Sequence, residues 1–355
     1  MNNMKTALAA APADVRLVQS LPATPRPVLE LREVSKRFSS KPDIAHRLAI
    51  KLGMASPPPV VHAVDRVNLA VRAGEVVGLV GESGCGKSTL GRLAVGLHKP
   101  TEGARLLGGI DAAQMDAAAL HKAQLKIQMV FQDPYASLNP RLRVDTIVSE
   151  AAVVHGLVGA SLRGEFVAEL LKTVGLDPSV ASRFPHQFSG GQRARIGIAR
   201  ALALQPRFLV CDEAVAALDV SIQAQIINLF MSLRARLDLT YLFISHDLSV
   251  VRHICDRVVI MYLGRVVEEA PVEQLFSRPN HPYSQALLAE TPTLETKKRS
   301  FVAVKGEIPS PLHPPTGCHF HPRCPHATPR CAAEAPVLTA IAPGHWSACH
   351  LNHVR

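Results

Sequence analysis

A glycine-rich loop between an apolar segment and a helical segment constrains this sequence more than any other feature. The loop has the spacing G-x-x-x-x-G-K-[ST] and consists of Gly81-Glu82-Ser83-Gly84-Cys85-Gly86-Lys87-Ser88-Thr89. In such loops backbone N–H groups surround phosphate oxygens, the lysine supplies a positive charge and the adjacent hydroxyl binds Mg²⁺. Residues 75–80 predict a buried parallel strand and residues 90–95 a helix. This order predicts an α/β fold that binds a nucleoside triphosphate, and a glycine-rich turn without a ligand is the alternative.

Two further apolar segments predict strands, and each ends in polar side chains. Residues 207–213 end in Asp212 and Glu213, and residues 240–246 end in His246. Because open α/β sheets bind ligands at the carboxyl ends of their strands, we expect Asp212 beside Mg²⁺ and Glu213 beside the attacking water as a general base. His246 is expected to hydrogen-bond the γ-phosphate or the water. The alternatives are an acidic strand end that caps the next helix and a surface or core histidine.

The full order of motifs resembles that of an ABC-type ATPase subunit. The matching residues are the phosphate loop, Gln132 after the apolar run 127–131, Ser189-Gly190-Gly191-Gln192, Asp212-Glu213, Ala217-Leu218-Asp219 and His246. Within that family, residues 132–140, 219–225 and 280–288 are similar to the branch that imports dipeptides, oligopeptides or nickel. The resemblance covers about residues 28 to 350. It implies a P-loop NTPase core with a mixed sheet, a helical subdomain and a small Cys-rich C-terminal extension.

The resemblance also implies an ATP site that two subunits share. Ser189, Gly190, Gly191 and Gln192 would begin a helix whose N-terminus meets the γ-phosphate held by the partner's phosphate loop. Asp219 would lie at the same subunit boundary.

Further positions are implied on the chain's own side of the site. Gln132 would bind Mg²⁺ or the attacking water, and Ser88 and Asp212 would be the other Mg²⁺ ligands. Phe38 would stack on the adenine ring, and the alternative for Phe38 is a place in the hydrophobic core.

The function implied is ATP hydrolysis that drives a peptide-type importer. Expected partners are a second, related ATPase subunit in a heterodimer, two transmembrane permease subunits and, indirectly, an extracytoplasmic solute-binding protein. The chain would lie peripherally on the cytoplasmic side of the inner membrane. A homodimer, and nickel or glutathione in place of peptides, remain open alternatives.

A formal net charge of +10 also raises the possibility of nucleic-acid binding. The basic residues are scattered, however, and Lys297-Lys298-Arg299 is the one tight cluster. Attraction to an anionic membrane surface accounts for the same sign of charge, so we expect no nucleic-acid partner. ABC ATPases that act on DNA or ribosomes are the rival class; they carry a long coiled coil between Lys87-like and Asp212-like positions, or two cassettes, and neither is found here.

The predicted organisation is a flexible tail (1–27), an ATPase cassette (28–270) and an extension (271–355). The cassette includes a helical subdomain at about 140–187, with helices predicted at 144–154 and 164–174. Residues 39–59 are expected to form a surface loop near the adenine. The N-terminal apolar stretch is too short and weak for a secretion signal, and no apolar run reaches the roughly 18 residues of a membrane span.

Four cysteines of the extension, Cys318, Cys324, Cys331 and Cys349, require a separate explanation. Without an export signal, disulfides are disfavoured because cytosolic thiols stay reduced. Four thiolates instead suggest zinc or an iron–sulfur cluster. The resemblance implies a [4Fe–4S] cluster, with Zn²⁺ or free thiols as alternatives. Cys85 either fills a permissive loop position or has a pKa lowered by the surrounding N–H groups, which would make it oxidisable.

Overall fold

The structure, a computed structural model, describes residues 26–40, 50–133, 135–289 and 306–353. Within these residues the chain forms one four-stranded sheet and one eight-stranded mixed sheet with flanking helices. This architecture confirms the predicted α/β fold class. Residues 1–25 of the predicted tail, and 41–49 of the loop expected near adenine, lie outside the described residues.

The described strands and helices have the following bounds. The strands are β1 (Leu29–Ser39), β2 (Val60–Val71), β3 (Val76–Val80), β4 (Glu102–Leu107), β5 (Ile110–Asp111), β6 (Ile127–Val130), β7 (Phe208–Asp212), β8 (Thr240–Ile244), β9 (Arg257–Tyr262), β10 (Arg265–Pro271), β11 (Thr339–Ala342) and β12 (His345–Ser347). The helices are α1 (Lys87–Val95), α2 (Ala117–Leu125), α3 (Val144–Val154), α4 (Arg163–Thr173), α5 (Gly190–Leu202), α6 (Val220–Leu237), α7 (Leu248–Ile254), α8 (Val272–Ser277), α9 (Pro282–Ala289) and α10 (Pro329–Ala333). Short 3₁₀ helices span Ala160–Leu162, Pro178–Ser182, Pro185–Gln187, His321–Arg323 and His350–His353.

The larger sheet has the strand order β11-β12-β10-β9-β3-β8-β7-β6 in the described chain. Strands β6, β7, β8, β3 and β9 are parallel to one another, and β10 pairs antiparallel with β9. Every residue of β3, β7, β8 and β9 is buried, as expected for parallel strands covered on both faces. Their carboxyl ends therefore meet at one edge of the sheet, where the polar motifs follow.

Helix α1 lies between the two sheets. It contacts β1 and β2 on one side and β7 and β8 on the other, and it buries Leu90, Leu93 and Ala94. Apolar residues of both sheets surround it, including Leu31 of the smaller sheet and Leu79 of the larger sheet. The helix that follows the phosphate loop is thus held on both faces by packing, which fixes the position of the loop.

The segment predicted as helical, at about 140–187, contains α3 and α4. Both helices pack against α5, and their buried residues join the core on that side of the larger sheet. The helix predicted at 164–174 spans Arg163–Thr173, a shift of one residue. Among the described helices, none combines the length and the apolar character that a membrane crossing needs.

The C-terminal extension continues the sheet of the cassette. Strand β12 pairs antiparallel with β10, and β11 pairs with β12. The buried carboxylate of Glu268 on β10 accepts hydrogen bonds from the backbone N–H groups of Asn280 (2.7 Å) and His281 (2.8 Å). It also lies 2.6 Å from Nε2 of His345 on β12. Because a buried carboxylate without partners is costly, these contacts fix the extension on the cassette.

His281 is buried and neutral. Its Nδ1 accepts a hydrogen bond from the backbone N–H of Tyr283 (3.1 Å), which a protonated ring cannot accept. Burial lowers the pKa of His281 to about 4 from its ordinary 6.5, although the Glu268 carboxylate opposes the shift. Between these values the unfolded chain binds a proton that the native protein does not bind. Stability therefore falls as the pH is lowered below about 6.5.

This difference predicts a pH-dependent stability that His281 controls. Lowering the pH from 7 to 5 should cost the native protein about 2 kcal/mol through His281, at about 1.4 kcal/mol per pKa unit. The His281→Asn variant keeps an oxygen that can accept the Tyr283 N–H but does not titrate, so it should lose about 2 kcal/mol less over the same range. Unfolding free energies of both proteins at pH 7 and pH 5 measure this. The same pH dependence in both proteins would contradict a buried neutral His281.

Candidate active site

The phosphate loop connects the end of β3 to the start of α1. Gly84 and Gly86 have φ angles of 79° and 105°, in the left-handed region that favours glycine. A Cβ at Gly86 would collide with the carbonyl oxygen of Ala63. Gly86 is also the N-cap of α1 and supplies no capping side chain, so the helix begins with N–H groups that an anion can use. These features suit a phosphate-binding turn.

Lys87 is buried beside the loop that precedes it. Its Nζ donates hydrogen bonds to the carbonyl oxygens of Gly81 (2.7 Å) and Glu82 (3.0 Å). These bonds hold the ammonium group across the loop, where a triphosphate would add the negative charge that balances it. The chain thus places a fixed cation inside the loop.

Ser88 and Asp212 form a pair of oxygen ligands. The Ser88 hydroxyl donates to Oδ1 of Asp212 at 2.8 Å, and Asp212 ends the buried strand β7. Burial raises the pKa of the Asp212 carboxyl, and the Ser88 hydrogen bond opposes that rise. Hydroxyl and carboxylate oxygens are the ligands that Mg²⁺ prefers, so these two residues fit such an ion.

Glu213, Gln132 and His246 come together from three strand ends. Gln132 Nε2 donates to Oε2 of Glu213 at 2.7 Å, and Nδ1 of His246 lies 3.6 Å from the same oxygen. Glu213 has a φ of 45°, which is unusual for a residue with a side chain. Its N–H donates to the carbonyl oxygen of Ile244 at 3.0 Å, which secures this conformation. The structure gathers these side chains, which are far apart in the sequence, around one carboxylate.

Ser189 to Gln192 begin helix α5. The Ser189 hydroxyl accepts the Gln192 N–H (3.3 Å), and the Gln192 side-chain oxygen accepts the Ser189 N–H (3.1 Å). This capping box satisfies two N–H groups at the helix start. Ser189, Gly190 and Gln192 are exposed, whereas Gly191 is buried against Ile222, where a Cβ would collide. The exposed helix start is open to another molecule, and the capping role of Gln192 was not expected from the sequence.

Asp219 and Phe38 lie at the surface. Asp219 is the exposed N-cap residue of α6, and its side chain makes no capping hydrogen bond. The Phe38 ring is 36% exposed at the end of β1. It contacts the ring of His98 edge-on, with the Lys36 ammonium 5.1 Å from its centroid. The alternative that placed Phe38 in the core is wrong, because the residue is exposed at the end of β1.

Cys85 belongs to the hydrophobic core between the two sheets. Burial raises the pKa of the Cys85 thiol, and the nearby Lys87 opposes the rise without reversing it. The interpretation of an oxidisable thiol with a lowered pKa is therefore wrong. The Cys85 side chain points from the loop into the hydrophobic core and packs there.

The four cysteines of the extension lie near one another. Burial, with a contribution from the thiolates of Cys331, Cys324 and Cys349, raises the pKa of Cys318 to about 11. Nevertheless, the described part of the chain contains no group of three or more His, Cys, Asp or Glu side chains arranged to hold a metal ion. The structure gives no support to the predicted iron–sulfur or zinc centre.

Comparison with known proteins identifies the family. Residues 64–216 match the family model described as ABC transporter, and residues 267–331 match the model described as oligopeptide/dipeptide transporter, C-terminal region. The chain is 51% identical over 328 residues to the oligopeptide transport ATP-binding protein AppF of Bacillus subtilis, covering 91% of this chain and 97% of AppF. The chain belongs to the ABC transporter ATPases. The predicted family and enzyme class, ATP hydrolysis by a transporter ATPase, are confirmed.

Other relatives and solved structures agree with this assignment. The ATPase is 51% identical over 295 residues to the probable peptide ABC transporter ATP-binding protein y4tS of Sinorhizobium fredii, covering 83% of this chain and 84% of y4tS. It superposes on the ATP-binding cassette MJ0796, solved as a dimer in a post-hydrolysis state with ADP and Pi, with a TM-score of 0.58 and 30% identity. That match covers 69% of this chain and 98% of MJ0796.

Two residues near the phosphate loop were missed by sequence reasoning. Tyr283 and Arg323 of the extension both contact Glu82 of the loop. Tyr283 lies in the stretch 280–288 that resembles peptide importers, and Arg323 precedes Cys324, but neither position carries a motif for phosphate binding. Contacts between such distant segments have no local sequence signal.

Burial of the cassette thiols in the ATPase predicts their resistance to alkylation. Cys85, Cys211 and Cys255 are buried, and burial raises the pKa of each. We therefore expect iodoacetamide at pH 8 to leave these three thiols unmodified in the native chain. The reagent attacks exposed thiolates, and these thiols are protonated and buried. Peptide mass spectrometry measures the labelling, with the unfolded chain as the control in which all three react. Fast labelling of native Cys85 would restore the interpretation of a reactive thiol.

Proposed function

We propose that this ATPase hydrolyses ATP to drive the import of dipeptides or oligopeptides. The observation that carries the proposal is the match of residues 267–331 to the C-terminal region of oligopeptide and dipeptide transporters. The same chain brings the candidate ATPase residues together around Glu213. The names of AppF and y4tS, as oligopeptide and peptide transport proteins, support the same substrate class. Nickel and glutathione are the alternative substrates.

The proposed binding of ATP uses the phosphate loop and the oxygen pair beside it. The N–H groups of the loop and the Lys87 ammonium bind the β- and γ-phosphates. Ser88 and Asp212, with Gln132, would hold Mg²⁺, which would supply positive charge against the phosphates. Phe38 stacks on the adenine from the exposed end of β1.

The proposed hydrolysis step depends on the Glu213 carboxylate. Glu213 takes the proton of the attacking water, and the Gln132 amide orients the carboxylate through its 2.7 Å hydrogen bond. His246, 3.6 Å from the same carboxylate, hydrogen-bonds the γ-phosphate or the water. This arrangement aligns the water with the γ-phosphate, which is most of what phosphoryl transfer needs from a protein.

Two ATPase subunits would complete each site. The exposed Ser189, Gly190 and Gln192 at the start of α5 would meet the γ-phosphate on the partner subunit, with Gly191 fixing the helix against Ile222. Asp219 would lie at the same boundary. The dimeric state named for the MJ0796 cassette supports this arrangement. We propose a heterodimer with a related subunit.

The helical segment would dock on the transmembrane permease subunits. It exposes Val153, Val154, Leu157 and Leu162, and Tyr135 is 60% exposed nearby in sequence. Exposed apolar residues grouped on one segment mark an interaction surface. We place the ATPase peripherally on the cytoplasmic face of the inner membrane, where anionic lipids attract its net charge of +10. An extracytoplasmic solute-binding protein would deliver the substrate.

A metal centre at Cys318, Cys324, Cys331 and Cys349 stays a prediction. Its support is the cysteine pattern of the sequence. No step of the ATPase reaction proposed here depends on it.

Substitution of Glu213 separates hydrolysis from ATP binding. Glu213→Gln should bind ATP with unchanged affinity and hydrolyse it at least about a hundredfold more slowly, because the general base is lost. Lys87→Ala should lose ATP affinity itself. Steady-state ATPase rates and equilibrium ATP binding measure the two effects. Near-normal turnover of Glu213→Gln, or tight ATP binding by Lys87→Ala, would contradict the assigned roles.

Uptake assays test the substrate class. In a host strain that lacks the gene, the wild-type ATPase should restore uptake of a labelled peptide, and Glu213→Gln at the same expression level should not, because transport requires hydrolysis. Labelled nickel and glutathione are measured in parallel. Restoration of either of these without the peptide would overturn peptide import.

A further inference from the structure

Two residues of the C-terminal extension, Tyr283 and Arg323, contact Glu82 of the phosphate loop. Arg323 donates two parallel hydrogen bonds to the Glu82 carboxylate, from Nη1 to Oε2 at 2.8 Å and from Nη2 to Oε1 at 3.0 Å. The hydroxyl of Tyr283 accepts the backbone N–H of Glu82 at 2.8 Å. Both the side chain and the main chain of one loop residue are therefore held by residues outside the cassette.

The Arg323–Glu82 pair is shielded from solvent. The Arg323 side chain is 7% exposed and the Glu82 side chain 21%. Two-pronged guanidinium–carboxylate pairs combine charge with fixed geometry and are stronger than single hydrogen bonds between neutral groups. Removal of one partner would leave the other charge poorly compensated. The pair is thus a strong constraint on the loop, unlike an exposed ion pair.

An aromatic cluster packs around Tyr283 and Arg323, the two residues that contact Glu82. The rings of Tyr262, Tyr283 and Phe320 are buried, and their centroids lie 4.7 Å (Tyr262–Tyr283), 5.2 Å (Tyr262–Phe320) and 5.4 Å (Tyr283–Phe320) apart. Arg323 also donates to the Tyr262 hydroxyl at 3.4 Å. Tyr262 ends β9, the strand beside β3. Tyr283 and Arg323 are therefore packed against the strand next to the loop, and this packing restricts their movement.

A second contact stabilises the phosphate loop at Cys85. The N–H of Gly264, in the turn between β9 and β10, donates to the carbonyl oxygen of Cys85 at 2.9 Å. The same turn is held by Nδ1 of His319, 2.9 Å from the carbonyl oxygen of Leu263. His319 belongs to the extension, so the extension supports the loop directly at Glu82 and, through this turn, at Cys85.

Glu82 is also, with Gly81, one of the two residues whose carbonyl oxygens hold Lys87. Its carbonyl oxygen accepts a hydrogen bond from the Lys87 ammonium at 3.0 Å. We propose that Tyr283 and Arg323 are positioning residues of the ATP site, which hold the phosphate loop through Glu82 in the conformation that binds the triphosphate. A loop that leaves this conformation part of the time binds ATP with an affinity reduced by the fraction that remains competent. The inference rests on the proposed role of the phosphate loop in ATP binding.

The proposal predicts a loss of ATP affinity without a loss of turnover. Arg323→Gln should raise the dissociation constant of Mg-ATP, and the KM, by about tenfold, while kcat at saturating ATP stays within about twofold, because bound ATP restores the loop. Glu82→Gln should do the same, and the double variant should bind no more weakly than either single variant, because both remove one interaction. Tyr283→Phe should give a smaller rise.

Calorimetric titration of the full-length chain with Mg-ATP, together with ATPase kinetics, measures these effects. A role in folding alone would lower the binding stoichiometry and kcat but leave the dissociation constant of the folded fraction unchanged. Arg323→Lys keeps the charge but not the two-pronged geometry and should recover part of the affinity. Arg330→Gln is the matched control, since Arg330 pairs with Glu334 at the surface of the same extension (2.8 Å). This variant should bind Mg-ATP with the affinity of the wild-type protein.

Two results would overturn the inference. One is wild-type affinity and KM in Arg323→Gln or, should that variant not fold, in Glu82→Gln. The other is additive loss in the double variant, which would mean that the two residues act separately. Lys87→Ala is included as a reference: if it retains ATP binding, the proposed loop function fails, whereas loss in Lys87→Ala with no effect at Arg323 and Glu82 rejects the extension's role alone.

Discussion

The parallel pairing of β3, β8 and β7 decides where every polar residue of the site lies. Leu79 of β3 pairs with Ile244 of β8, and Ile244 pairs with Asp212 of β7. The phosphate loop, the Asp212–Glu213 pair and His246 therefore leave the sheet at the same level and on the same edge. A shift in this register would separate the oxygen pair from the loop, so the chemistry depends on backbone hydrogen bonds between buried strands.

Charged side chains also join segments that lie far apart in the sequence. Arg257 of β9 contacts Glu75 before β3 (2.9 Å) and Glu269 of β10 (2.5 Å), and its guanidinium also donates to the carbonyl oxygen of Ala70 on β2. Glu268 joins β10 to the extension in the same way. Buried charges are tolerated only with partners, so each pair also specifies which segments must meet. The extension is consequently part of the ATPase sheet and reaches its nucleotide loop.

Sequence patterns predicted the elements of the site better than their surroundings. The strands around β3, β7 and β8, the loop spacing and the helix start at Ser189 follow from short-range order, and the structure contains all of them. The capping role of Gln192 was missed although the spacing Ser189-x-x-Gln192 is a short-range signal for a capping box. The burial of Cys85 did not follow from the sequence, because burial depends on segments far along the chain. The same reason hid the contact between Arg323 and Glu82.

The sequence by itself determined the chemistry available to this ATPase. The spacing between the loop glycines, Lys87 and Ser88 is covalent, and an apolar strand before them and a helix after them leave one way to present N–H groups to phosphate. The tertiary structure decided which groups act together and in what environment. Glu213 gains Gln132 and His246, the thiol of Cys85 loses solvent, and Glu82 gains Arg323, because each outcome requires residues that approach one another only when the sheet and the extension have packed.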